Sequence, residues 1–236
     1  MSSIATPLSA VEVDDLAAGL QQATAAEILR EAVDRFPGRV VLTCSWQRTS
    51  SVLVDLIATN GLDVRIVEVD TGLLFPETHE VRDRLIERYG IEVETLRPRR
   101  TVDEQASDMG AELWLREPDA CCGLRKVEPL ERALAGADAW VSGLRRSSGG
   151  SRSTVQPLAL DEKRGVVKVA PLWRWSAEDV EAHCAEHDVP VHALHAQGYP
   201  SIGCIPCTRA VAPGEDERAG RWAWTGKTEC GLHRPS

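Results

Sequence analysis

The sequence predicts an α/β protein: a mainly parallel twisted sheet with helices on both faces, followed by an irregular C-terminal tail. Three observations lead there. Short, valine-rich apolar runs alternate with amphipathic helical stretches, as expected of strands buried on both faces. The 236 residues are 43% hydrophobic, enough for one sizeable core without disulfide staples. After Tyr199 the periodicity disappears, and Gly, Pro, Arg and Trp dominate.

Residues 9–36 read as a helix with Leu16, Leu20, Ile28, Leu29, Val33 and Phe36 as core positions, ended by "PGR". "VVLTC" (40–44) is a short buried strand, 50–59 a helix and "VRIVEVD" (64–70) a second strand. The helix over 76–90 starts at Pro76 and stops at Gly90, and "IEVETL" (91–96) is the third strand. Helical stretches at 101–108 and 124–135 precede strands at "AWVSG" (139–143) and "GVVKVAPL" (165–172). "SAEDVEAHCAEHD" (176–188) is a helix opening on a capping box. Sheets of this kind bind ligands beyond the carboxyl ends of their strands, which here carry "CSWQRTSS", "VDTGLLF" and "SGLRRSSGGSR". The chain divides into an α/β domain over 1–208 and a tail over 209–236. "APGEDERAG" is the tail's hinge, and the tail is expected to move.

A formal charge of −9 argues against a general nucleic-acid surface but allows a local basic pocket for a small anion. No run approaches the ~20 apolar residues of a membrane span. "MSSIATPLSAVEVDD" has neither the basic start nor the apolar stretch of a secretion signal. A cytoplasmic location is expected, where clustered cysteines read as metal or redox ligands.

There are seven cysteines. The adjacent pair Cys121–Cys122 is badly placed for a disulfide with itself, because a trans peptide strains the required geometry. Cys204 and Cys207 form a CxxC far downstream. Four such cysteines suit a structural zinc or an iron–sulfur cluster, or are an accidental set of core thiols. Adjacency favours the cluster, since neighbouring cysteines can each serve a different iron but must strain to share one zinc. Cys44 and Cys184 read as core thiols. Cys230, in "KTECGLH" (227–233), lies in polar sequence with Lys227 and His233 three positions to either side; taken alone it reads equally as a thiol activated by nearby cations or as an unremarkable exposed one.

"CCGLRKVEPL", "GYPSIGCIPCT", "ERAGRW" and "KTECGLH", with "VDTGLLFPET" and "SGLRR", resemble the assimilatory adenylyl-sulfate reductases, the iron–sulfur branch of the sulfonucleotide reductases. The resemblance runs from about residue 26 to 234. It implies the PP-loop, adenine-nucleotide α-hydrolase-like fold. It also implies thioredoxin-dependent reduction of adenosine 5′-phosphosulfate to sulfite and AMP. By it, Cys230 is the nucleophile, and Cys121, Cys122, Cys204 and Cys207 hold a [4Fe–4S] cluster. Lys126, Arg218, Arg221 and His233 surround the sulfate; Arg218 and Arg221, three apart, would share a face if that stretch were helical. Arg152 and the backbone around Gly143 and Leu73 meet the nucleotide's phosphate and adenine, and Ser45 belongs to the phosphate loop. That loop departs from the family pattern. Trp46 stands where a small residue is usual and the acidic pair is missing, although Ser45 and Ser50 keep an S-x4-S frame. Arg48 there either contacts phosphate or faces solvent.

Rival readings differ in what they require. A reductase for the 3′-phosphorylated nucleotide, or one accepting both, is the nearest, though the cysteine pairs favour the unphosphorylated substrate. A tRNA-thiolating PP-loop enzyme would need SGGxDS and a basic surface. A zinc-stabilised binding module would leave the terminal ECGLH unexplained. The sequence leaves a monomer or a homo-oligomer open.

Overall fold

The structure, a computed structural model, describes residues 8–227 and 229–232. Its first helices are α1 (Ala10–Gly19) and α2 (Ala25–Arg35), followed by β1 (Val40–Cys44), α3 (Arg48–Thr59), β2 (Arg65–Val69), α4 (Pro76–Tyr89) and β3 (Val93–Leu96). Four short helices come next: α5 (Val102–Met109), α6 (Leu113–Arg116), α7 (Pro118–Cys122) and, after a π-helical turn at Gly123–Val127, α8 (Glu128–Ala133). The described part closes with β4 (Ala139–Val141), β5 (Leu158–Asp161), β6 (Val166–Val169), α9 (Ala177–Glu186) and an irregular segment.

The six strands lie in the order β3-β2-β1-β4-β6-β5. All pairings are parallel except the antiparallel β5–β6 edge. In β1, Val40, Leu42 and Cys44 enter the larger core cluster and Val41 the smaller one on the opposite face. β4 repeats this: Ala139 and Val141 face one way and Trp140 the other, the period-two alternation of a sheet covered twice. Strand order reverses direction between β1 and β4, which opens a crevice at their carboxyl ends.

Two expectations need correction. The helix expected over 9–36 is two helices, because Thr24 caps α2: its side chain accepts from the Glu27 amide while the Glu27 carboxylate accepts from the Thr24 backbone N–H. The strand β5 was not expected; a tight turn ending at Gly165, with φ 65°, folds it back on β6. Beyond Tyr199 the described chain is irregular, as expected. Among the described residues no helix is long and apolar enough to cross a membrane.

Close packing fixes the crevice. A Cβ on Gly143, just after β4, would meet the Thr49 Oγ1 at 2.6 Å and its Cβ at 2.8 Å. The β4 loop therefore presses on the N-terminal turn of α3 in a way only glycine permits.

Candidate active site

At the crevice lies a cavity of about 360 Å³, bounded by the loop after β1, the loop after β4, the π turn and the tail. Of the residues singled out in the sequence, Ser45, Lys126, Gly143, Arg152, Arg218, Arg221 and Cys230 line it. Leu73 does not; Leu74 takes its place, and Leu73 faces the cysteine pocket described below. The reason is local: the Leu73 carbonyl accepts from the Ile205 amide at 2.8 Å, and Leu74 pairs with Cys204 in an antiparallel bridge. His233 lies outside the described residues.

The loop after β1 is held from within. Ser45 and Ser50 hydroxyls meet at 3.0 Å, so the S-x4-S frame closes on itself. Trp46 adopts a left-handed backbone with φ 58°, which turns its side chain inward until 1% remains exposed. Its indole Nε1 donates to the buried Glu68 carboxylate, which also accepts from Arg82 and Thr95. The bulky residue is thus a wedge under the loop and does not obstruct it. Arg48 takes neither expected course: it pairs with Glu181 on α9.

The tail contributes through turns and not through a helix. Arg221 N–H donates to the Arg218 carbonyl at 2.8 Å, and the two guanidiniums then part. Arg221 is buried, donating to the Ser201 hydroxyl and the Ile202 carbonyl and lying over the Trp222 ring. This approach needs Gly203, where any Cβ would collide with the Arg221 guanidinium. Arg218 and Arg152 both donate to Glu229. Burial drives the Arg218 pKa below its ordinary value, and nearby Arg152 adds to the effect while Glu229 opposes it.

Several donors here lack a partner among the described residues: Nε of Arg145 and Arg221 and the hydroxyl of Ser142, all buried on the cavity wall. Such groups cost about 1–3 kcal/mol each when unpaired. Arg145 and Glu229 were not named from the sequence. "SGLRR" and "KTECGLH" held the signal, but which arginine turns inward is decided by packing.

The four paired cysteines converge as the sequence suggested. Cys121 and Cys122 end α7, and Cys204 and Cys207 bracket a 3₁₀ turn; all are buried and unbonded. With Leu73, Trp114, Pro118 and Trp222 they line a small pocket next to the main cavity, and Lys126 borders both. Burial pushes the Cys121 thiol up to about 11 and Cys207 to about 12. Burial opposes the charge on Lys126, but the thiols of Cys204, Cys230 and Cys122 more than offset it and hold its pKa above the ordinary value.

The residues fit a cluster. Four buried sulfurs surround one pocket, and the buried Trp222 Nε1 on its wall has no partner among the described residues. A four-thiolate zinc would bring the sulfurs to about 3.8 Å from one another, given bonds of ~2.3 Å. Among the described residues, the group whose ligand atoms all lie within 4.8 Å of one another is Asp55, His183 and His187.

Cys230 is half-buried, packs beside the cysteine pocket and borders the cavity. Cys44 and Cys184 lie in the main core, where burial raises them to about 12 and about 11.

Comparison with known proteins matches this architecture. The phosphoadenosine phosphosulfate reductase domain matches residues 39–210. An adenosine 5′-phosphosulfate reductase of Streptomyces coelicolor is 48% identical over 214 residues, 91% of this chain and 90% of that one. Adenosine 5′-phosphosulfate reductase 1 of Bacillus subtilis is 46% identical over 210 residues, 89% of this chain and 90% of that one. The crystal structure of phosphoadenylyl-sulfate reductase from Candida auris, a phosphate complex, superposes with a TM-score of 0.77 at 29% identity, covering 89% of this chain and 100% of that one. The FMN adenylyltransferase of Candida glabrata, at 14% identity and a TM-score of 0.55 over 85% of this chain and 65% of that one, shares the fold. The chain belongs to the phosphoadenosine phosphosulfate reductase family.

Proposed function

We propose that the protein reduces adenosine 5′-phosphosulfate to sulfite and AMP in sulfate assimilation, taking electrons from thioredoxin. The observation that carries this reading is one cavity bordered by a half-buried cysteine, Cys230, and by Lys126, Arg152, Arg218 and Arg221. The names of the curated relatives support it.

The Cys230 thiolate attacks the sulfate sulfur, and the bond from that sulfur to the AMP phosphate oxygen breaks with its electron pair on AMP. Cys230 then carries a sulfonate. A thioredoxin thiolate attacks the Cys230 sulfur, and sulfite leaves with the sulfur–sulfur pair; the second thioredoxin thiol resolves the mixed disulfide. Sulfur passes from the sulfate to the sulfite level as the thioredoxin dithiol becomes a disulfide. Lys126, Arg218 and Arg221 offset the charge of the attacked sulfate, and Arg152 holds the nucleotide phosphate near Gly143 and Ser45. His233 is proposed to join the sulfate cations. Because Cys230 must meet first a buried sulfur and then a bulky protein, the tail carrying it is proposed to move.

Cys121, Cys122, Cys204 and Cys207 are proposed to hold a [4Fe–4S] cluster. When bound, that group would tie α7 to the 3₁₀ turn and set the electrostatic surroundings of Lys126. We place the enzyme in the cytoplasm.

The unphosphorylated nucleotide is the favoured substrate. Two further arginines at the sheet edge are engaged elsewhere: Arg48 pairs with Glu181, and Arg146, which does not line the cavity, bonds the Val155 carbonyl and lies over the Trp173 ring. Anaerobic sulfite release with reduced thioredoxin tests both points. A preference of at least ~10-fold for the unphosphorylated substrate, roughly 1.4 kcal/mol, is expected. Equal specificity constants would overturn the preference in favour of an enzyme accepting both, and no sulfite from either would reject the activity.

A further inference from the structure

Glu229, the residue before Cys230, turns its carboxylate into the cavity with 15% of the side chain exposed. Oε1 accepts from Arg152 Nε at 2.9 Å and Oε2 from Arg152 Nη2 at 3.1 Å, a bidentate pair. Oε2 also accepts from Arg218 Nη2 at 3.3 Å. The two arginines come from different segments, the loop after β4 and the tail. Guanidiniums converging on the oxygens of one anion form the arrangement by which proteins hold phosphate and sulfate. Here the anion is the protein's own.

We propose that Glu229 is a latch displaced by substrate: its carboxylate fills the anion place of Arg152 and Arg218 in the free enzyme, and the phosphosulfate must expel it before both arginines can bind. This rests on the functional reading above, which puts the substrate's anionic groups at these arginines. An expelled carboxylate cannot remain beside the incoming anion, because like charges at such separations repel. The Glu229 side chain must swing away from the two arginines, and the nucleophile Cys230 is the next residue on the same stretch of backbone. Binding of the anion and repositioning of the nucleophile become one event. When AMP leaves, Glu229 reoccupies the arginines and opposes product rebinding. The latch costs affinity, since every ligand competes with an internal one.

Glu229→Gln tests this, because it keeps the shape and removes the charge. Binding of AMP and of inorganic sulfate to the anaerobic holoenzyme is measured by calorimetry, beside KM for the sulfonucleotide. The variant is expected to bind both probes about 10-fold more tightly than wild type, with KM falling in parallel. Glu229→Asp, too short to span both guanidiniums, should gain about 3-fold, and it serves as the test should the glutamine variant not fold. A carboxylate that merely anchors the tail gives the opposite result, and unchanged or weaker binding of both probes overturns the latch. The two readings separate cleanly. Sulfite production by wild type without any gain in affinity leaves the activity standing and the latch rejected. A gain in sulfate affinity without sulfite production from wild type does the reverse.

Discussion

The indole Nε1 of Trp46 lies 2.6 Å from Oε2 of Glu68, and both side chains are 1% exposed. A tryptophan in the loop after β1 is thereby moored to the second strand of the sheet. Arg82 at 2.9 Å and Thr95 at 2.7 Å complete the surroundings of the same carboxylate. A buried carboxylate with three donors is stable only while all of them remain.

Trp46→Phe keeps an aromatic ring, smaller than the indole, and removes one donor, leaving a carboxylate oxygen of Glu68 short of a partner. A loss of about 1–3 kcal/mol is expected. For a chain of this size each kcal/mol lowers Tm by roughly 2–4 °C, so calorimetry should register a drop of several degrees. Weaker AMP binding should accompany it, since the loop loses its mooring. An unchanged Tm would show that the indole N–H is dispensable.

Protein purified without oxygen should contain about four irons and four acid-labile sulfides per chain. Replacing any one of Cys121, Cys122, Cys204 or Cys207 by serine should lower both and bleach the brown colour. Stoichiometric zinc without sulfide would identify the pocket as a zinc site instead.

Cys230→Ser should retain iron and colour yet release no sulfite. Wild type incubated with adenosine 5′-phosphosulfate and no thioredoxin should gain one sulfonate mass on the peptide containing Cys230. The buried thiols Cys44 and Cys184, raised to about 12 and about 11, should stay unmodified. An adduct on either would relocate the nucleophile.

His195 borders the cavity, and its Nδ1–H donates to the Tyr199 carbonyl at 2.8 Å. Burial, helped by the positive charge of Arg48, lowers its pKa from 6.5 to about 4. The unfolded chain therefore takes up the proton first. Stability that is fully present above pH 6.5 is lost as pH falls towards 4. His195→Asn, which preserves the bond to Tyr199, should flatten this loss. Urea midpoints at pH 7 and pH 5 measure it, and parallel losses in both proteins would assign the effect to other groups.

How much could be read in advance depended on how local each signal is. The cysteine pairs, the capping box at Ser176 and the stop at Gly90 are set by residues within one turn, and they stand where expected. The break between α1 and α2 was equally local, since Thr24 and Glu27 spell a capping box, but the apolar periodicity on either side concealed it. Trp46 could not be understood from its neighbours, because its partner lies 22 positions away. Arg218 and Arg221 reach the cavity through a turn stabilised by contacts with Asp216, Ser201 and Ile202, which no helical spacing rule contains. Glu229 stood in a motif read for its cysteine and histidine. Its role emerges only once Arg152 arrives from the loop after β4.

The π turn at Gly123–Val127 divides one helical run into two angular registers. An α-helix advances about 100° per residue, and a π turn carries one residue more than that repeat allows. Cys121 and Cys122 on one side, and the α8 residues Pro129, Leu130 and Ala133 that pack under the sheet on the other, are thus aimed independently. Removing a single residue from the turn would restore a regular helix and rotate the cysteine pair by roughly 100° relative to the sheet. In geometric terms this turn holds one residue more than a regular helix would. It lets the thiol-bearing segment be oriented independently of the helix that packs under the sheet.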